Sequence, residues 1–186
     1  MRVKLKKSYK REVKKEVERP VKVKIEYRFA NPEDVDQLAR LRTLMQVEIH
    51  QPSDKSSIDE FTQKVKNYFL KSLTQNKFHS SVAVFENKII ANAGVVFYER
   101  PPSIKGGTGL VGYVTNVYTE KPFRGRGIGT QLVRELTVLA LKLQVDKLHL
   151  GATPDGMRIY KSVGYEDPQF YNLELREPFN KVSKGE

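Results

Sequence analysis

The chain has 186 residues, a formal net charge of +11, no Cys and three His; it is long enough for one domain with a full core and lacks disulfides, thiolate metal sites and a cysteine nucleophile. His50, His79 and His149 stand at no metal-ligand spacing, which argues against a metal enzyme. No apolar run approaches the roughly eighteen residues of a membrane span, and no signal-peptide core follows the charged N-terminus, so the expected setting is the cytoplasm.

The charge is uneven. Residues 1–28 carry twelve Lys/Arg against four Glu, a net of +8, whereas the other 158 residues carry only +3. The basic character therefore belongs to an N-terminal extension, residues 1–20, ahead of a domain over residues 21–186. Residues 8–19 could form a solvated helix that Pro20 ends. Tyr9 is the one aromatic there, so the base-stacking pattern of a nucleic-acid arm is missing and a solvated extension is favoured.

Residues 21–29 alternate strictly and predict a half-buried strand. Asn31 is a plausible cap, with Pro32 at the first helical position and acids behind it; Val35, Leu38, Leu41 and Leu44/Met45 then form a helical stripe. After a polar break a second helix is expected over residues 58–73, with Phe61, Val65, Tyr68/Phe69 and Leu73 on one face. Residues 81–85 and 88–98 predict two strands joined by a hairpin turn at Glu86-Asn87. A Pro/Gly loop leads to a strand over residues 111–119, which Pro122 ends. Ile128, Leu132, Val133, Leu136, Leu139, Ala140 and Leu143 mark an amphipathic helix. A strand over 147–151, a short helix carrying Tyr160 and a closing strand over 170–175 complete the order β-α-α-β-β-β-α-β-α-β.

The run between that central strand and its helix contains Gly125, Gly127 and Gly129. A glycine-rich turn opening a helix leaves several N–H groups unpaired and aimed at one point, with the helix dipole behind them. Arg124 and Arg126 add full charges, so the segment reads as a pyrophosphate site. Gly129-Thr130 lacks the intervening Lys of a nucleotide-hydrolase phosphate loop. A literal G-x-G-x-x-G stands elsewhere, Gly107-Thr-Gly109-Leu-Val-Gly112, but it enters a strand and has no helix end behind its amides.

What remains is Arg-x-x-Gly-x-Gly, Arg124 to Gly129, which resembles the acyl-CoA signature of the GNAT superfamily of N-acetyltransferases. Downstream, Tyr160, Gly164 and Tyr165 are similar to that family's later motif, and the two motifs come in the family's order. The resemblance implies an α/β (α+β) fold: a mixed, mostly antiparallel twisted sheet flanked by helices, with the carrier in a splay beside the central strand. It also implies acetyl transfer from acetyl-CoA, as co-substrate without a metal, to a primary amine. No nucleophilic side chain is needed, because a neutral amine attacks the thioester directly.

By the same resemblance, backbone groups of Val117 and Thr119 hold the pantetheine arm. The N–H groups of Arg124, Gly125, Arg126, Gly127, Ile128, Gly129 and Thr130 hold the pyrophosphate. Tyr160 is the acid that protonates the departing thiolate, and a phenol near pKa 10 suits a donor. Asn116 polarises a carbonyl or orients the acceptor amine. The Glu that some members carry thirteen residues before the Arg is Val111 here, so the base is left open among Glu99, Glu48, His50 or a water chain. Lys121 stands where many members have Pro, and Thr153 where they often have Asn. Glu48, His50, Asp54 and Glu60 are candidate substrate contacts or, equally, solvent-facing loop polars. The acceptor is open among aminoglycoside, polyamine, amino acid and protein amine. Homodimers are common in such families, a membrane partner is not expected and nucleic acid is disfavoured. The competing reading is a non-catalytic acyl-CoA-binding module, or a nucleic-acid-docking module that uses the basic arm.

Overall fold

The computed structural model describes residues 24–168 apart from 103, 105 and 106. The expected N-terminal helix, the first residues of the first strand and the closing strand over 170–175 lie outside the described residues.

The elements alternate much as the periodicity predicts. Strand β1 (Glu26–Phe29) leads through a 3-10 turn, Pro32–Asp34, into α1 (Val35–His50) and α2 (Lys55–Thr74). Asn31 caps the 3-10 turn rather than α1 itself. Its side chain accepts from Glu33 N–H, and the Asp34 carboxylate accepts from Asn31 N–H at 2.9 Å while holding both Arg28 terminal nitrogens at 2.7 and 2.8 Å.

β2 (Phe78–Phe85) and β3 (Lys88–Glu99) form a hairpin. Glu86 and Asn87 both take positive φ, 48° and 60°, as a two-residue turn matched to strand twist requires. β4 (Leu110–Thr119) is followed by α3 (Ile128–Lys142), β5 (Lys147–His149) and α4 (Met157–Val163). The sheet order is β1-β2-β3-β4-β5, antiparallel throughout except for the parallel β4–β5 pair.

Each face of the sheet has its own core. Leu38, Leu41, Phe69 and Leu73 from α1 and α2 cover Phe78, Val82 and Ile89. On the other face Ile128, Leu132, Val133 and Leu136 of α3, with Tyr160 of α4, cover Ala91, Ala93, Val95 and Val114. Burial of one such aliphatic side chain contributes about 1.5–3 kcal/mol. At the end of the α1 stripe Leu44 is 39% exposed and Met45 is the half-buried one of the pair, whereas Leu143 caps α3 in solvent instead of continuing its buried face.

Candidate active site

The site begins with an irregularity in β4. β4 and β5 pair over only three positions, ending at Tyr113 and His149. Beyond them β4 keeps β3 on one side and, among the described residues, has no strand on the other, so the sheet opens into a cleft. At the same level the β3–β4 register shifts: Gly94 faces Thr115 but Asn92 faces Tyr118, so Asn116 and Val117 together oppose Ala93. This is a β-bulge, which bends the strand and re-aims its side chains. Asn116 sits in it with φ 55°, a conformation that Asn tolerates better than most residues. Its side chain is buried, and Oδ1 has no donor among the described residues.

The glycine-rich run closes one end of the cleft. After the turn Lys121–Phe123, Gly127 takes φ 76° as the N-cap of α3. Gln131 is the first residue of the helix whose N–H reaches a carbonyl outside it, that of Gly127 at 3.1 Å; the amides of residues 125–130 find none among the described residues. A Cβ placed on Gly125 or Gly127 would meet nothing within 4 Å, so the space before these amides is open. Gly129 serves packing as well, since a Cβ there would lie 3.3 Å from Ile159 Cδ1 of α4. A cavity of about 350 Å³ lies over this corner, lined by Val117, Thr119, Arg124, Gly125, Gly127, Ile128, Gly129 and Thr130. An open concavity of this size, floored by unpaired amides at a helix N-terminus, fits a pyrophosphate.

The two arginines are placed differently from the expectation of free charges. Arg124 gives Nη1 and Nη2 to the two Glu48 carboxylate oxygens, each at 2.8 Å, and Nε to Thr119 O at 2.8 Å. It also lies over the Tyr118 ring. Its charge is thus balanced from α1, and the carbonyl of Thr119 is already engaged. Arg126 turns over the Phe123 ring, away from the cavity lining.

Tyr160 reaches the cleft from the far side. It is 9% exposed, belongs to the α3-side core and lines a second cavity with Asn116 and Val117. Burial raises its pKa above 10.0, with Tyr165 and Tyr113 adding to the rise, so the phenol stays protonated across the physiological range.

The base candidates separate on geometry. Glu48 is pushed below its ordinary carboxylate range, first by the Arg124 hydrogen bonds; a carboxylate so held is a weak proton acceptor. Glu99 pairs with Leu110 at the far end of β4, about 20 Å along the strand from Asn116. His50 is exposed at the last position of α1. Asp54 caps α2 through Ser56 and Ser57, and Glu60 pairs with Lys64 along that helix.

Three cavities run together as one groove. The corner cavity shares Val117, Tyr118, Arg124 and Asp155 with the second, and the second shares Arg42, Tyr113, Thr115 and Asn116 with a third between α1, α2 and the sheet. The fold therefore gathers the expected residues along one channel, with the glycine amides at one end and Asn116 and Tyr160 near its middle; Arg126 stands apart. Two residues here were not singled out in the sequence, Arg42 and Asp155, because neither belongs to a local pattern.

A mixed sheet with a bulged, half-unpaired central strand and an anion-ready helix end beside it is the layout of the acyl-CoA N-acyltransferase fold. The family model described as Acetyltransferase (GNAT) family matches residues 40–165, and the chain belongs to that family. Among curated proteins it is 36% identical over 80 residues to a probable glucosamine 6-phosphate N-acetyltransferase of rice (Oryza sativa subsp. japonica), covering 43% of this chain and 46% of the relative, so less than half of that protein is spanned. It is 25% identical over 111 residues to the glucosamine 6-phosphate N-acetyltransferase of Candida albicans, covering 60% of this chain and 71% of the relative. Among solved structures, a predicted acetyltransferase of Clostridium acetobutylicum determined with acetyl-CoA superposes with a TM-score of 0.72 at 30% identity, over 82% of this chain and 96% of that one.

Proposed function

We propose that the protein is an acetyl-CoA-dependent N-acetyltransferase that moves the acetyl group to a primary amine in a ternary complex. The observation that carries this reading is the row of unpaired amides over residues 125–130, opening into a groove that leads to Asn116 and Tyr160. The solved relative with acetyl-CoA and the two amino-sugar acetyltransferases support it.

Acetyl-CoA supplies an activated acyl group, and the chain supplies placement and protons. The amides at the start of α3 hold the diphosphate, and the unpaired edge of β4 at Val117 holds the pantetheine arm as an added strand would be held. Asn116 Oδ1, which lacks a donor, accepts from the acceptor amine and fixes its approach. In the transfer a C–N bond forms and the C–S bond breaks. Tyr160 gives its proton to the departing thiolate, and the attacking nitrogen, cationic once the C–N bond forms, loses a proton to water in the groove to leave a neutral amide. Asp155 lines the groove beside this path.

Calorimetry with acetyl-CoA, followed by a panel of primary amines assayed for free CoA thiol, tests the reading. Tyr160→Phe should lower turnover by about 10²–10⁴-fold, the usual worth of a general acid, with acetyl-CoA affinity nearly intact. Because burial raises the phenol's pKa, wild-type turnover should keep its donor past pH 10 and fall as pH rises through the raised value; the phenylalanine variant should lack that limb. Unchanged turnover removes Tyr160 from the role. Binding without turnover on any amine leaves a non-catalytic acyl-CoA-binding module.

A further inference from the structure

The third cavity, about 380 Å³ between α1, α2 and the sheet, contains a charge without a partner among the described residues. Arg28, Arg40 and Arg42 are the half-buried arginines among the described residues. Arg28 holds Asp34 and Arg40 holds Glu120. Arg42 has no carboxylate within ion-pair distance and no hydrogen-bond acceptor among the described residues. Lys64, which also lines the cavity, pairs with Glu60. Burial pulls the Arg42 pKa down, and the Tyr113 and Tyr68 phenols oppose that fall. An arginine remains charged even so.

Withdrawing a guanidinium from water without an anion is unfavourable, and the cavity around it is built for a ligand. Phe61, Val65, Phe69 and Val96 form an apolar wall, and Tyr68 and Tyr113 line the cavity together with Arg42. The planar fork of Arg pairs bidentately with carboxylate or phosphate. Asn116 borders both this cavity and the middle of the groove, so a molecule with its amine at Asn116 extends toward Arg42.

Resting on the acetyltransferase reading above, we infer that the acceptor is an amine bearing an oxyanion, phosphate or carboxylate, and that Arg42 binds that oxyanion. The positive cavity disfavours polycationic acceptors such as polyamines and aminoglycosides.

Matched amines test this with the full chain. Glucosamine 6-phosphate is compared with glucosamine, and β-alanine with its amide, using kcat/KM from CoA release. The charged member of at least one pair should be preferred by about 10- to 100-fold, the range for a charge-assisted hydrogen-bonded contact. In Arg42→Gln that preference should collapse, and Arg42→Lys should restore part of it. The pair that responds tells phosphate from carboxylate. A neutral amine used as well as its charged partner, or a preference that survives Arg42→Gln, overturns the inference.

A second measurement stands apart from turnover. Inorganic phosphate and acetate are titrated into wild type and Arg42→Gln with CoA present, so that anions at the α3 corner are displaced. One of them should raise the melting temperature of wild type only; equal response, or none, in both proteins also overturns the inference. Acetyl-CoA calorimetry run alongside reports on the carrier reading separately. Absence of heat there defeats the acetyltransferase assignment, while the anion titration still reads Arg42.

Discussion

The chain has two glycine-rich segments that look alike on paper and differ in what stands before their amides. Gly107-Thr-Gly109 wraps an anion of the protein itself: Thr108 N–H and Gly109 N–H donate to the two Asp146 carboxylate oxygens at 2.8 Å each. A Cβ on Gly107, at φ 114°, would fall 2.2 Å from Asp146 Oδ2, and one on Gly112 would fall 2.5 Å from a Leu148 methyl. This match to the dinucleotide pattern is a lock that fixes the start of β4 to the β5 side. The run from Arg124 to Gly129 has no such internal anion on its amides among the described residues, and open space faces Gly125 and Gly127. Glycines and free amides create the capacity to hold an anion; whether a ligand can use it depends on whether the fold has already filled the place.

Substitutions on the two sides should therefore have opposite signatures. The largest effect is expected from Gly127→Glu, which puts a carboxylate against the unpaired amides. Acetyl-CoA affinity should fall by at least about 100-fold, read by calorimetry. The apo protein should lose only about 1–2 kcal/mol from the left-handed backbone, because no atom crowds that Cβ. Wild-type affinity in this variant would place the diphosphate elsewhere.

Gly107→Ala should do the reverse. The positive φ and the clash with Asp146 should cost about 1–3 kcal/mol of stability, measured by denaturant unfolding, with acetyl-CoA affinity unchanged. A loss of acetyl-CoA affinity would mean that the two segments act as one site.

The smallest effect concerns acid. The Gly109 N–H bond, opposed by burial and joined by the Thr108 bonds, holds the Asp146 pKa below 3.8. A depressed carboxylate contributes stability above its unfolded pKa and loses it as pH falls through the folded value. The melting temperature of wild type should thus drop on acidification below about pH 4. Asp146→Asn should start lower at neutral pH and show a shallower drop. Parallel curves would show that the lock carries no net charge preference.

Local patterns made much of the framework legible. The stripe of Ile128, Leu132, Val133, Leu136 and Ala140 predicts α3 and its buried face, and Glu86-Asn87 marks the hairpin. Each is written in neighbours two to four positions apart, where periodicity reflects direct contact. Faces set by distant partners were less readable: Tyr68 lies on the expected apolar stripe of α2 yet is 48% exposed at the mouth of the third cavity.

The sequence by itself determined the order of elements from β1 to α4, the capping glycines and the two motifs that mark the GNAT family, because these depend on backbone preference and short-range spacing. Only the tertiary structure decided which glycine loop is free, since that turns on Asp146 lying 38 positions from Thr108. It also decided that Glu48 belongs to Arg124, 76 positions away, and that Arg42 has no carboxylate of its own among the described residues. Charges interact through space at a few ångströms, and the sheet and its helices, not the chain's order, bring them that close.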